Sequence, residues 1–355
     1  MRHVRALMLG IALMALVVAC GGYIALSEIR AAAAASGDPV AFVVAPGDST
    51  AAIATKLRAA GLIRQPALFT LLARMQDLDG KLQTGRYILS PTMTMSQIFV
   101  ALQNSRSAET AVTLPEGLRL EEMAALLEQA SIVSADAFLA AALNGQRFRN
   151  DYFLLATLPD GASLEGYLFP DTYRFPQQAE ADQVVRIMLD RFTEQYGTIE
   201  RSVQVPGINV HQVVTMASIV QRETALVAEM PKIAGVFWNR LKPTNAAIVS
   251  GGTLGADATV QYAVGYSEAE ATWWRKDLTQ ADLQVDSPYN TRVRPGLTPG
   301  PIAAPGLAAL TAAAKPDATG NYLFFVVDCA RDGSHNFATT YQEFQQYEAV
   351  WLACQ

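Results

Sequence analysis

The sequence predicts an α+β protein in three parts: an N-terminal membrane helix, a small α+β subdomain and a larger mixed α+β domain. Three observations predict it. Leu7 to Leu26 carries no charge and is about as long as a helix must be to cross a bilayer. Two short apolar strands then bracket a pair of small helices. Beyond them, helices with amphipathic periodicity alternate with short strands and with loops shaped by Pro and Gly. The expected boundaries are a tip at 1–6, a span at 7–26, a linker at 27–39, the small subdomain at 40–105, a connecting α+β region at 106–200 and the main domain at 201–355.

Arg2 and Arg5 precede the apolar run. The positive-inside bias keeps them cytoplasmic, so the body faces the periplasmic side of the inner membrane. A cleaved signal peptide is one alternative, because the most apolar part stops near Ala19. A lipid anchor is another, because Val17-Val18-Ala19-Cys20 loosely fits a lipoprotein cleavage box. The linker that follows contains Ala31–Ala35 and then Ser36, Gly37 and Asp38.

Composition narrows the function classes. A net charge of −6 and the lack of a basic stripe argue against a nucleic-acid partner. An acidic body also does not dock readily on anionic lipid, so the anchor must hold it there. Three cysteines are too few for a disulfide scaffold. With Cys20 in the apolar run, Cys329 and Cys354 remain, and sequence alone does not settle whether they pair. There is no CxxC, and the three histidines lie at 3, 211 and 335, so neither a metal site nor a cofactor is expected.

In the small subdomain, Ala41–Val44 is an apolar strand. Pro46-Gly47-Asp48-Ser49-Thr50 ends in a helix cap, and Ala52–Ala60 reads as an amphipathic helix stopped at Gly61. Leu68–Met75 is a second helix and Gly85–Leu89 a second strand. Thr94 caps a third helix running to Gln103. This order resembles a LysM-type module, and that resemblance implies binding of N-acetylglucosamine-containing glycans. A ligand-free α+β spacer is the alternative.

Val112–Leu114 is a strand that turns at Pro115-Glu116-Gly117 into a helix, Leu120–Gln129. Ala135–Leu143 and Ala181–Tyr196 read as further helices. Between them lies the aromatic segment Leu164–Tyr173, which suits either a sugar-facing groove or a buried connecting loop. Later come a Gly-rich stretch at Ser250–Tyr262, a short helix and turn at Asp277–Asp286, and two Pro/Gly-shaped loops at Ser287–Thr291 and Gly296–Ile302. A helix at Gly306–Ala314, a strand at Tyr322–Val327, a turn into His335-Asn336-Phe337 and a helix at Tyr341–Leu352 complete the chain. No G-x-S-x-G elbow or Cys–His pairing stands out.

The stretch with most chemistry is Val210–Leu241, read as two helices broken at Pro231. Asn209 can cap the first, with Gln212 as its capping-box partner. Val213, Ala217, Val220 and Thr224 fall on one line, flanked by Met216, Ile219 and Val227. Glu223 lands on that flank, while Arg222 points away and Gln221 lies about 160° round the helix. A carboxyl at an apolar edge is partly desolvated, which raises its pKa toward the range of a general acid. A structural ion pair is the bland alternative.

Ala217–Thr224 resembles the active-site helix of the endolytic murein transglycosylases, the YceG-like family. Glu116-Gly117, Leu164–Tyr173, Asn239-Arg240-Leu241, Asp257 with Thr259-Val260, Tyr289-Asn290-Thr291, Gly296–Ile302 and His335-Asn336-Phe337 match in order. The resemblance implies an inner-membrane lyase that cuts peptidoglycan strands from within and leaves 1,6-anhydro ends, and synthases such as penicillin-binding proteins as partners. It implies that Glu223 is the catalytic acid and then base. It implies substrate contacts from Asp257, Thr259, Tyr289, Asn290, Tyr167 and His335. Gln221 departs from a common Glu, Leu254–Thr259 departs from a Gln-Ser/Thr-Asp-Pro-Thr pattern, and Ala304 replaces a commoner polar residue. Two other readings stay open: a hydrolysing muramidase pairing Glu223 with Asp257 or Glu165, and a non-catalytic glycan-binding scaffold.

Overall fold

A computed structural model of the chain describes residues 32–103, 109–176, 179–330 and 332–354. The apolar run at 7–26, with Arg2, Arg5 and Cys20, lies outside the described residues. Among those described, no helix is long and apolar enough to cross a membrane. The chain divides into two compact units, Met1–Thr110 and Ala111–Gln355.

In the first unit, β1 (Val40–Val44) pairs antiparallel with β2 (Gly85–Leu89), Phe42 standing opposite Tyr87. Between them run α1 (Thr50–Ala59) and α2 (Pro66–Met75), and α3 (Met95–Gln103) follows. Ser49 Oγ accepts the Ala52 amide at 3.2 Å and starts α1, satisfying a backbone donor the helix cannot. The inward positions meet in one core. Ile53, Leu57, Phe69 and Phe99 are buried in it, and the rings of Phe69 and Phe99 stack at 4.2 Å. The order is the one expected from sequence.

The second unit is mixed α+β with small sheets. β3 (Glu109–Thr113) pairs with β4 (Thr172–Pro176), a strand that the sequence reading absorbed into the aromatic segment. Helices α4 (Leu120–Gln129), α5 (Ala135–Ala142) and α6 (Ala181–Ile199) lie where periodicity placed them. One core draws on buried residues from Val112 to Ala314, so the 106–200 and 201–355 segments contribute to the same apolar cluster.

At its centre runs α7 (Val210–Glu223), followed by α8 (Met230–Arg240). Two expectations are corrected here. The break is not at Pro231. The first helix stops at Glu223, where Thr224 turns extended at φ −148 and ψ 143. Pro231 instead sits in the first turn of α8, where a missing N–H costs no helical hydrogen bond. Nor does α7 present a single apolar stripe. Val214, Thr215, Ser218 and Ile219 are buried along with Val213, Ala217 and Val220. Val227, expected on the flank, lies beyond the helix and is 61% exposed.

Beyond α8, the Gly-rich stretch forms a helix, α9 (Asp257–Val264), and α10 (Gln280–Leu283) and α11 (Leu307–Ala314) follow. The β5 (Phe324–Val327) and β6 (His335–Ala338) strands form an antiparallel pair with Phe325 opposite Phe337. Last comes α12 (Tyr341–Ala353), tied back by a Cys329–Cys354 disulfide.

Candidate active site

The site begins with the capping box of α7. Asn209 Oδ1 accepts the Gln212 amide at 2.9 Å, and Gln212 Oε1 accepts the Asn209 amide at 3.0 Å. The buried hydroxyls along the helix are satisfied. Thr215 Oγ1 donates to the His211 carbonyl at 2.7 Å, and Ser218 Oγ accepts the Ile302 amide at 3.0 Å. The helix is therefore fixed, and so is the residue at its end.

That residue is Glu223. It is partly exposed as a whole, but its Oε1 is shut off from solvent and has no hydrogen-bond partner. Burial, and then the nearby charge of Asp257, push its pKa up from 4.5 to about 7. Arg240, Arg292 and the Ala258 backbone amide pull the other way and lose. Position at a helix C-terminus adds to the penalty on a negative charge.

The start of α9 and the loop that carries Asn290 hold the charges that face Glu223. Thr259 Oγ1 donates to the Ala256 carbonyl at 2.6 Å and lies 2.7 Å from Thr291 Oγ1, which accepts the Ala256 amide at 3.1 Å. Asn290 Nδ2 donates to the carbonyls of Leu283 and Val285 at 3.1 and 2.9 Å, and its Oδ1 accepts the Arg292 amide at 3.0 Å. Thr259 and Asn290 are wholly buried, so their polar atoms knit backbone to backbone. They carry Asp257 and Arg292, which meet across the loops at 2.6 Å. Behind them the Arg240 guanidinium donates to the carbonyls of Leu254 and Leu323, and burial lowers its pKa to about 10.

The remaining expected residues fall elsewhere in the same unit. Tyr167 is fully buried, its hydroxyl 3.0 Å from His211 Nδ1. Tyr289 packs its ring 4.8 Å from that of Tyr262 on α9. His335 closes on Glu229 at the start of α8, Nδ1 to Oε2 at 2.7 Å. Gln221 has a local role: its Oε1 accepts the Gly306 amide at 2.9 Å and ties α7 to the start of α11.

Sequence reasoning missed a cation–aromatic cluster. The buried Arg119 guanidinium lies 4.2 Å from the Tyr262 ring and 4.3 Å from that of Trp273. Arg222 lies 3.8 Å over Trp274, whose Nε1 donates to Glu122 at 3.0 Å. The adjacent tryptophans were the available signal. Glu165 sits nearby, buried, with its Oε2 accepting the Leu120 amide at 3.3 Å and its pKa pushed up to about 8 by burial. Among the described residues no cluster of His, Cys, Asp and Glu suits a metal ion.

A carboxyl with a pKa near 7 and one unpaired, water-shielded oxygen can both give and accept a proton at neutral pH. Comparison with known proteins then decides the family, because the model of the YceG-like family matches residues 42–349. The chain belongs to the YceG-like family. One relative is the endolytic murein transglycosylase of Bacillus subtilis (strain 168), 30% identical over 320 residues, covering 86% of this chain and 83% of the relative. Another is the endolytic murein transglycosylase of Streptococcus pneumoniae serotype 2 (strain D39 / NCTC 7466), 28% identical over 356 residues. The match covers 92% of this chain but only 62% of that longer relative. Among solved structures, a yceG-like protein of Listeria monocytogenes superposes with a TM-score of 0.57 at 27% identity. The match covers 88% of this chain and 99% of that YceG-like chain.

Proposed function

We propose that this chain is a membrane-anchored endolytic murein transglycosylase in which Glu223 is the general acid and then the base. The glycosidic oxygen between MurNAc and GlcNAc takes the Glu223 proton as its bond to the anomeric carbon breaks. The muramic acid C6 hydroxyl attacks that carbon, and Glu223 takes the hydroxyl proton back. The strand ends in a 1,6-anhydro sugar, the carboxyl is regenerated and no water is consumed. One carboxyl therefore suffices, whereas a hydrolase needs a second to activate water or attack.

The observation that carries this reading is the unpaired, shielded oxygen of Glu223 with a pKa near 7. Asp257 is committed to the Arg292 ion pair. Glu165 also has an unpaired Oε1, but at 4% exposure, with its Oε2 on the Leu120 amide, it has no room to activate a water as the base of a hydrolysing muramidase. Asp257, Tyr289 and His335 take the glycan contacts in this reading, while Tyr167, Thr259 and Asn290 hold the loops in place. The apolar run at 7–26 anchors the body in the inner membrane, the LysM-like unit holds the strand, and a peptidoglycan synthase supplies it. Mass spectrometry of murein digested by the purified protein tests the reaction: ends lighter by one water than reducing ends are expected, and ordinary reducing ends would overturn it.

A further inference from the structure

A concave feature opens beside the α7–α8 connection, about 630 Å³ in volume. Val227 and Pro231 form one wall, Leu307 and Ala308 of α11 the other, and Lys315 and Asp317 stand at its lip. Its lining is mostly apolar, with Ala308 and Ala312 leaving room between the larger side chains. Lys315 is exposed and pairs with no carboxylate among the described residues. Asp317 keeps its charge, because Thr319 donates to it from both hydroxyl and amide at 2.6 and 3.1 Å. The helix α11 that lines the cleft is fixed to α7 at its start. Gly306, just before α11, donates its amide to Gln221, two residues ahead of Glu223.

Resting on the murein reading above, we propose that this cleft is the subsite for the peptide stem carried by the muramic acid next to the cut bond. A stem offers alanine methyls, free carboxylates and a diamino-acid amine. The apolar lining fits the methyls, Lys315 a carboxylate and Asp317 the amine. A glycan stripped of its peptide keeps the lactyl carboxylate and methyl but has neither the alanine methyls nor the diamino-acid amine, so the cleft selects strands that still carry peptide.

The test measures binding rather than cleavage. The full chain carrying Glu223→Gln is titrated by calorimetry with a soluble disaccharide–peptide and with the same disaccharide stripped of its peptide. The peptide is expected to tighten binding by about tenfold. Lys315→Gln and Ala308→Trp, the first at an exposed position where folding is not at risk, each remove most of that difference. Equal affinity for the two ligands, or a preference that survives both substitutions, overturns the inference. Product ends made by the parent chain decide the lyase reading separately.

Discussion

Arg292 Nε donates to Asp257 Oδ1 at 2.6 Å, and the two charges of this pair act on Glu223 in opposite senses. Asp257 raises the proton affinity of Glu223 and Arg292 lowers it. Asp257→Asn removes the first effect and frees the second. The Glu223 pKa then falls, and the acid loses its proton at lower pH. The alkaline limb of the kcat/KM profile should move to lower pH, so that the rate at pH ~8, relative to the same variant's rate near pH ~5, falls about three- to tenfold further than in the parent. An unmoved limb contradicts the assignment.

Glu223→Gln should stabilise the protein in alkali. In the folded state the carboxyl titrates at about 7, against 4.5 as its ordinary value. Between these values the folded state binds the extra proton, so stability falls as pH rises through that window and stays low above it. Glutamine does not titrate and escapes this loss. The variant should gain about 1–3 kcal/mol at pH ~8 and nothing near pH ~4, measured by denaturant unfolding at both.

Gly166 is expected to tolerate no side chain. It has φ +78, and an added Cβ would stand 2.4 Å from the Pro301 ring and 3.2 Å from Val214 on α7. Strain and overpacking act together, so Gly166→Ala should cost about 3 kcal/mol, read as a lower unfolding midpoint.

The disulfide should matter for the C-terminal helix and not for the reaction. No residue of α12 is buried; Phe344 packs on the cluster of Val249, Leu323, Phe324 and Ala338, and the rings of Tyr341 and Phe344 lie 5.8 and 5.5 Å from that of Phe324. Cys329 and Cys354 close a span of 25 residues. Cys354→Ser should weaken this closure by about 2–3 kcal/mol. Limited proteolysis should then cut within α12 sooner, while the rate of strand cleavage holds.

Much of this was legible in the chain. A helix end with a local cap, such as Asn209 for α7, shows in sequence because the capping groups lie within three residues of each other; for α1 the cap falls on Ser49, one residue before the expected Thr50. Helical spacing singles out Glu223 on the apolar flank, and the structure differs in that Glu223 ends the helix. Pro231 misled because proline marks a helix start as readily as a break. The resemblance implies ligand contacts from Thr259, Asn290 and Tyr167, and all three are buried. Their partners lie 32 residues away for Thr259 and 44 for Tyr167, distances over which sequence gives no pairing signal. The stacking of Arg119 on Tyr262 and Trp273 is long-range in the same way.

The central claim is that Glu223 moves the proton at the cut bond. The most direct measurement is the release of anhydro-ended muropeptides from murein by the purified chain and by its Glu223→Gln variant, with near-UV circular dichroism confirming that both are folded. Loss of release by a factor of about a thousand or more in the folded variant is the predicted result. Release at the parent rate would contradict it.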